Sequence, residues 1–131
     1  MTKLNRIMLG EKTYPIKIDL NVLEHIQENY GSINQFEMDI LGLKNKLNEK
    51  GEKIFAEDGS LVMCRKEPSI RAIKAVLPSM INEGLSIEAE ENGIVFAPLS
   101  DKDVFRECTI SYELLAKMIH EEFARCFKTK K

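Results

Sequence analysis

A proline inside an otherwise well-marked helical segment is the feature that most constrains the fold of this chain. Pro78 lies within residues 67–85, where Pro68 suits the start of a helix and Gly84 can adopt the left-handed conformation that closes one. Between them, six apolar residues recur at the three- and four-residue spacing of one helix side: Ile70, Ile73, Val76, Leu77, Met80 and Ile81. We therefore expect a helix that is bent or divided at Pro78 and that buries this apolar side.

The composition fits a single globular domain spanning residues 1–131, because 44% of the residues are hydrophobic and 31% are charged. The 19 basic residues are nearly balanced by 21 acidic ones, so no broad positive field exists and nucleic acid is a poor default partner. No apolar run reaches the roughly 18 residues of a membrane span, and the polar start lacks the apolar stretch of a secretory signal. We therefore expect a cytoplasmic protein with no membrane partner.

The N-terminal residues predict a β-hairpin. Tyr14, Ile16 and Ile18 occupy every second position along 13–18, and a glycine-containing turn at 10–12 separates this segment from residues 6–9. Pro15 has no N–H to donate to a neighbouring strand, which favours an edge position for the second strand.

Two capped helices are expected after the hairpin. Asp19 and Asn21 are both acceptable caps for the first helix, which runs to about Tyr30. Ser32 has the spacing of a cap for a shorter second helix that ends near Gly42. The apolar sides consist of Leu20, Leu23, Ile26 and Tyr30 in the first helix, and of Ile33, Phe36 and Ile40 in the second.

Residues 44–66 form a polar excursion from the core. Two similar pieces, EKGEKIF at 49–55 and EDGSLVM at 57–63, each consist of a glycine turn followed by a short apolar run. Runs this short are typical of both a small hairpin and a mobile loop, so both interpretations stay open.

The segment after the proline-containing helix also admits two interpretations. Asn92 and Gly93 are the dipeptide that most readily supplies two positive φ angles, which predicts a second hairpin containing Ile87, Ala89, Ile94 and Phe96. A helical continuation through 88–91 is the alternative.

Two further helices are predicted near the C-terminus. Ser100 caps a short helix that runs through Cys108, and Ser111 caps the last one. The inner side of the last helix consists of Leu115, Met118, Ile119, Phe123 and Cys126. The chain as a whole therefore predicts an α+β, mainly α-helical fold, in which an N-terminal β-hairpin precedes four to five helices and one or two small additional hairpins occur.

No segment carries a recognisable catalytic, cofactor-binding or metal-binding motif. The candidate nucleophiles are the cysteines and the candidate bases are His25 and His120, but none stands in a glycine-rich elbow. His120 and Cys126 are six residues apart and point in different directions on an ideal helix. Cys64, Cys108 and Cys126 are odd in number and scattered, which indicates reduced, partly buried thiols. We therefore expect a protein that is not an enzyme and has no cofactor or metal.

Residues 100–127 can also be drawn as a helix-turn-helix, which makes a DNA-binding regulator the alternative function. Recognition helices carry basic and amide side chains towards bases and phosphates. The last helix instead carries Glu113, Glu121 and Glu122 beside Lys117 and Arg125. Its mixed charge favours a function other than DNA binding.

The chain resembles the tail assembly chaperones encoded by long-tailed phages and prophages of Gram-positive bacteria. The segments that carry this resemblance are LGEKTYPIKIDLNVLEHIQENYGSINQFE, EPSIRAIKAVLPSMINEGLSIEAEENG and ISYELLAKMIHEEFARCF. They cover most of residues 7–127, although the polar excursion is not distinctive. These are structural signatures, and no catalytic motif accompanies them.

The resemblance implies a non-enzymatic chaperone. Such a protein binds the tape-measure protein, a long and largely helical rod, helps to recruit tail-tube subunits, and is absent from the mature virion. Many members are made in a short and a frameshifted longer form, and Lys130 and Lys131 are compatible with a slippery run of adenines. We expect the partner-binding residues to lie on the last helix, at Leu115, Met118, Phe123 and Phe127, although the same residues are candidates for the internal core. Self-association stays open.

Overall fold

A computed structural model describes residues 3–127 of the chain, which form five helices and four short strands. Lys130 and Lys131, which bear on the frameshift prediction, lie outside the described residues. The elements in chain order are β1 (Asn5–Met8), β2 (Thr13–Ile16), α1 (Leu20–Asn29), α2 (Ile33–Leu41), β3 (Leu43–Asn45), β4 (Met63–Arg65), α3 (Ile70–Asn92), α4 (Asp101–Glu107) and α5 (Tyr112–Cys126). The prediction of a mainly helical α+β fold with an N-terminal hairpin is confirmed.

The N-terminal hairpin is an antiparallel pair in which Arg6 lies opposite Pro15. Since β1 and β2 form a sheet of two strands, Pro15 is on an edge strand, as predicted. The turn of the hairpin lies against the connection between α4 and α5, where the Thr109 N–H donates to the Leu9 carbonyl at 2.6 Å. The Tyr14 hydroxyl donates to the Glu107 carboxylate. These bonds attach the hairpin to the C-terminal half of the chain.

Helices α1 and α2 begin at the predicted caps. The Asp19 carboxylate accepts from the Val22 N–H, and the Ser32 hydroxyl accepts from the Gln35 N–H. Gly42 ends α2 in the left-handed conformation, with φ of 73°. The prediction that Leu20 lies on the buried side is wrong, because this residue begins α1 and is 82% exposed. Val22 is buried in its place.

Helix α3 corrects two predictions. It runs without a break through Pro78 to Asn92, so neither Pro78 nor Gly84 ends it. The predicted second hairpin at Ile87 to Phe96 is wrong, and the helical alternative is right. The reason is that, of Asn92 and Gly93, Gly93 alone takes a positive φ, of 66°, and its N–H donates to the carbonyls of Ala89 and Glu90. A single left-handed residue closes a helix, whereas the predicted hairpin turn requires two.

Gly84 serves as a contact point between α3 and β2. A Cβ built on Gly84 would lie 2.4 Å from the Pro15 carbonyl oxygen and 2.8 Å from the Ile16 nitrogen. Directly after the end of β2, the Lys17 N–H donates to the Met80 carbonyl at 3.0 Å. The hairpin therefore packs its backbone directly on the backbone of α3, at a distance that only glycine allows.

The polar excursion folds into a small β-structure, which confirms the hairpin interpretation of 44–66. Beyond the paired strands β3 and β4, three segments meet through backbone bonds: Lys46 N–H donates to Val62, Val62 to Ile54, and Ile54 to Lys46. The two predicted glycine turns separate these segments, and Gly51 and Gly59 have φ of 79° and 87°. The mobility of this excursion stays a prediction.

The core joins residues from both halves of the chain. Phe36 of α2 and Phe123 of α5 are both buried, and their ring centroids lie 5.6 Å apart. The predicted apolar side of α3 is buried except at Ile70, which is 55% exposed at the first position of the helix. The core also contains Ile7, Leu9, Ile16, Ile18, Val22, Ile26, Ile40, Ala72, Ile73, Val76, Leu77, Met80, Ile81, Val104, Leu115, Ala116 and Ile119.

Candidate protein-binding groove

The four residues predicted to bind a partner do not lie together on one open surface. Leu115 and Phe123 are buried in the core, which is the alternative position that the sequence left open. Met118 is half-buried against the core. Phe127 is 56% exposed and packs against Phe123, with the ring centroids 5.0 Å apart. Of the four, Leu115 alone also lines an apolar groove.

This apolar groove, of about 440 Å3, lies between the beginning of α3, the end of α4 and the beginning of α5. We call it the α3–α5 groove. Its walls are mostly aliphatic and aromatic side chains, and the exposed Ile70 stands at its rim. The lining residues are Ile70, Ile73, Lys74, Leu77, Phe105, Cys108, Ile110, Ser111, Tyr112 and Leu115. Apolar grooves with a few polar groups are the usual docking sites for an apolar helix face or a peptide.

Helix caps position the two long walls of the α3–α5 groove. The Ser69 hydroxyl accepts from the Ala72 N–H, which fixes the start of α3 and therefore the place of Ile70. The Ser111 hydroxyl accepts from the Leu114 N–H and fixes the start of α5 in the same way. Rigid walls of this kind reduce the entropy lost when a partner binds.

Polar groups at the rim of the groove have defined positions. The Lys74 ammonium lies over the Phe105 ring, 5.0 Å from its centroid, so it covers one aromatic face and leaves a positive charge at the rim. Burial raises the pKa of the Tyr112 hydroxyl, and the nearby carboxylate of Glu67 raises it further. Tyr112 is therefore a neutral hydrogen-bond donor at neutral pH.

A buried polar network around Asp39 lies outside the lining of the groove. Asp39 accepts hydrogen bonds from Lys66 at 2.6 Å, from Gln35 at 2.9 Å and from the Tyr30 hydroxyl. Burial alone would raise the pKa of Asp39, but these hydrogen bonds outweigh burial and lower it. Because every partner is a side chain of this chain, the network joins α1, α2 and the end of the excursion and has a structural role.

The groups that could support catalysis are dispersed. His120 lies 3.1 Å from Glu37, while His25 contacts Asn29, one turn further along the same side of α1, at 3.2 Å. Burial raises the pKa of the Cys126 thiol, which disfavours the thiolate needed for nucleophilic attack. In the part of the chain that the structure describes, no three His, Cys, Asp or Glu side chains are grouped to hold a metal ion.

Sequence reasoning missed most of the groove because its walls come from three separate elements. Phe105 and Ile110 were not assigned to a site, and Ile70 was assigned to the core. The position of Ile70 directly after the cap Ser69 was the available signal, because the first residue of a helix has no preceding turn to pack against. Its apolar character at an exposed helix start is typical of a contact surface.

Comparison of the chain with known protein families, with curated proteins and with solved structures found no match. None of the helices formed by residues 3–127 combines the length and the apolar composition that crossing a bilayer requires.

Proposed function

We propose that this protein is a non-enzymatic tail assembly chaperone of a phage or prophage, and that it binds the tape-measure protein, tail-tube subunits or both. The observation that carries the proposal is the α3–α5 groove, which has apolar walls, fixed edges and the exposed Ile70 at its rim. The tape-measure protein is expected to be largely helical, and an apolar stripe on such a helix is chemically matched to this groove.

The resemblance in segments 7–127 supports the same proposal from the sequence. Its segments include the hairpin, the proline-containing helix α3 and the last helix α5, and these elements build both the core and the groove. The dispersed histidines and the raised pKa of the Cys126 thiol also suit a binding function better than catalysis.

The test is co-expression with the tape-measure protein of the same phage or prophage, with the soluble fraction of that protein as the readout. We expect this protein to increase the soluble fraction, and Ile70→Asp to reduce that effect. An aspartate at the first position of a helix is favourable for folding, so this change alters the groove without weakening α3. Loss of the contact between the half-exposed Ile70 and the bound partner costs about 1 kcal/mol of binding free energy, or roughly fivefold in affinity. Burial of the aspartate charge against the partner adds to this cost.

Leu20→Asp is the matched control. Leu20 occupies the first position of α1, directly after its cap, and is 82% exposed on a surface outside the groove. Both variants therefore place the same charge at the same helix position. Equal behaviour of the two variants, or an unchanged solubility of the tape-measure product in the presence of the parent protein, would contradict the proposal.

A further inference from the structure

The connection between α3 and α4, residues 94–98, is an exposed apolar segment outside the groove. Val95 is 91% exposed and Ile94 is 63% exposed, which is unusual for two adjacent aliphatic residues in a protein that has a formed core. The segment contains no helix, turn or bend. Its side chains therefore form a continuous apolar strip along the surface.

The two ends of the α3–α4 connection are held in place while its middle has unpaired backbone groups. The Ile94 N–H donates to the Ala89 carbonyl, and Leu99 exchanges two hydrogen bonds with the Asn82 side chain, at 2.8 and 3.0 Å. Within residues 3–127, the backbone N–H and carbonyl groups of Val95, Phe96 and Ala97 have no hydrogen-bond partner. A held segment with free main-chain groups has the character of an unpaired edge strand.

The side chain of Phe96 faces a polar cleft between α1 and α3, which has a volume of about 360 Å3. The ionisable residues in its other walls are His25, Lys74, Glu83 and Asp101. A hydrogen bond to Asp19 and, secondly, burial raise the pKa of Glu83. The cleft therefore carries both signs of charge, and any preference for a charged partner comes from the residues on either side of the connection.

The residues on either side of the connection are acidic. Glu90 precedes it, Asp101 and Asp103 follow it, and Lys102 is the basic residue among these. Glu88 also precedes it, but its carboxylate is already paired with Arg6 at 2.9 Å. A second copy of this connection would bring the same acidic groups opposite these, which is unfavourable. A helical partner satisfies its own backbone groups and offers none to Val95, Phe96 and Ala97. The charges and the free backbone groups therefore select a basic, extended partner.

We propose that the α3–α4 connection is a second protein-binding surface, which pairs with an extended strand of another protein whose apolar residues alternate and whose flanking residues are basic. Main-chain hydrogen bonds from Val95 to Ala97 hold the strand, and the acidic flanks orient it. This surface is separate from the α3–α5 groove, and the proposal goes beyond the chaperone function.

The test uses a labelled short peptide in which valine and threonine alternate between pairs of lysines, titrated with the full chain by fluorescence anisotropy. We expect saturable binding that weakens with salt, and at least tenfold weaker binding of the same peptide flanked by glutamates. N-methylation of every second residue removes the donors along one edge of the peptide. Two such peptides are compared, one methylated at the odd and one at the even positions. We expect methylation to weaken the binding of one of these peptides tenfold and to leave the affinity of the other nearly unchanged.

Three variants separate the proposed surface from other sites. Val95→Pro removes one backbone donor at an exposed position and should weaken binding about tenfold, whereas Val95→Ala keeps the donor and should weaken it about twofold. Ile70→Asp, in the α3–α5 groove, should bind the peptide like the parent. A glutamate-flanked peptide that binds equally well, an unchanged affinity of Val95→Pro, or no saturable binding at all overturns the proposal. So does a dimer of this chain that Val95→Pro dissociates, because a second copy would then be the occupant.

Discussion

Replacement of Gly84 by alanine is the most informative perturbation of this fold. In a solvent-exposed helix interior this change stabilises a protein, because alanine is favoured over glycine by about 1 kcal/mol. In α3 the new methyl group would instead lie 2.4 Å from the Pro15 carbonyl oxygen and 2.5 Å from the carbonyl carbon. We therefore expect Gly84→Ala to be destabilising, against the general trend.

The magnitude follows from three contributions. Ordinary contact requires α3 and β2 to move apart by about 1 Å, and overpacking of this kind costs about 1–3 kcal/mol. The same movement weakens the hydrogen bond from Lys17 N–H to the Met80 carbonyl, which costs about 1 kcal/mol. Helix propensity returns about 1 kcal/mol. The free energy of unfolding should fall by about 1–3 kcal/mol, which lowers Tm by about 4–10 °C for a chain of this length.

Urea unfolding followed by far-ultraviolet circular dichroism measures this loss, with Gly93→Ala as the matched control. Gly93 has φ of 66° and no atom within 4 Å of an added Cβ, so its replacement strains the backbone without a steric contact. We expect about 1 kcal/mol for that change. Pro15→Ala provides a second check, because the atoms close to Gly84 belong to the backbone and trimming the proline ring should not restore the lost stability.

Two outcomes would refute this account of the contact. A Gly84→Ala variant as stable as the parent, or more stable, would mean that the hairpin does not pack directly on α3. A full rescue by Pro15→Ala would mean that the ring of Pro15, and not its carbonyl group, makes the contact.

Three further predictions concern ionisable groups. Asp39→Ala should lower the free energy of unfolding by about 2–3 kcal/mol at neutral pH, because Lys66 loses its buried partner. Since the pKa of Asp39 is lowered in the folded protein, this loss of stability should shrink as the pH falls below 4. Denaturation of the parent and the variant at several pH values measures the effect. Glu83→Gln should raise the urea midpoint at pH 7 and leave it unchanged at pH 4, because the raised pKa of Glu83 makes its stabilising contribution disappear as pH rises. Tyr14→Phe should remove an absorbance titration step near pH 12, since the hydrogen bond to Glu107 raises the pKa of Tyr14 to about 12. The stability that this hydrogen bond gives is complete below pH 10 and is lost between pH 10 and 12.

Local signals predicted the elements of the fold well. Serine caps at Ser32, Ser100 and Ser111 were placed correctly because a cap bonds to an amide three residues away and needs nothing else. The glycine turns of the excursion were recognisable for the same reason. Boundaries failed where a distant contact decides the outcome: Gly84 resembles a helix end in the sequence, but it is required by the approach of Pro15.

The candidate site was less accessible to sequence reasoning. The pattern of α5 identified its inward side, and it could not distinguish residues that face the core, such as Phe123, from residues that face a groove. The α3–α5 groove forms only when Ile70, Phe105 and Ile110 come together from separate elements. Such a surface is a property of the tertiary structure and has no local signature.

The three segments of the excursion that meet through backbone hydrogen bonds make this part of the protein suitable for genetic tagging. Lys46, Ile54 and Val62 close the small β-structure on itself, and no atom lies within 4 Å of a Cβ added at Gly51 or Gly59. Extra residues inserted at either turn would project into solvent, because the backbone hydrogen bonds of the three segments hold the two residues that flank the insertion in place. An epitope or fluorophore inserted there should report on the protein in living cells without touching its core.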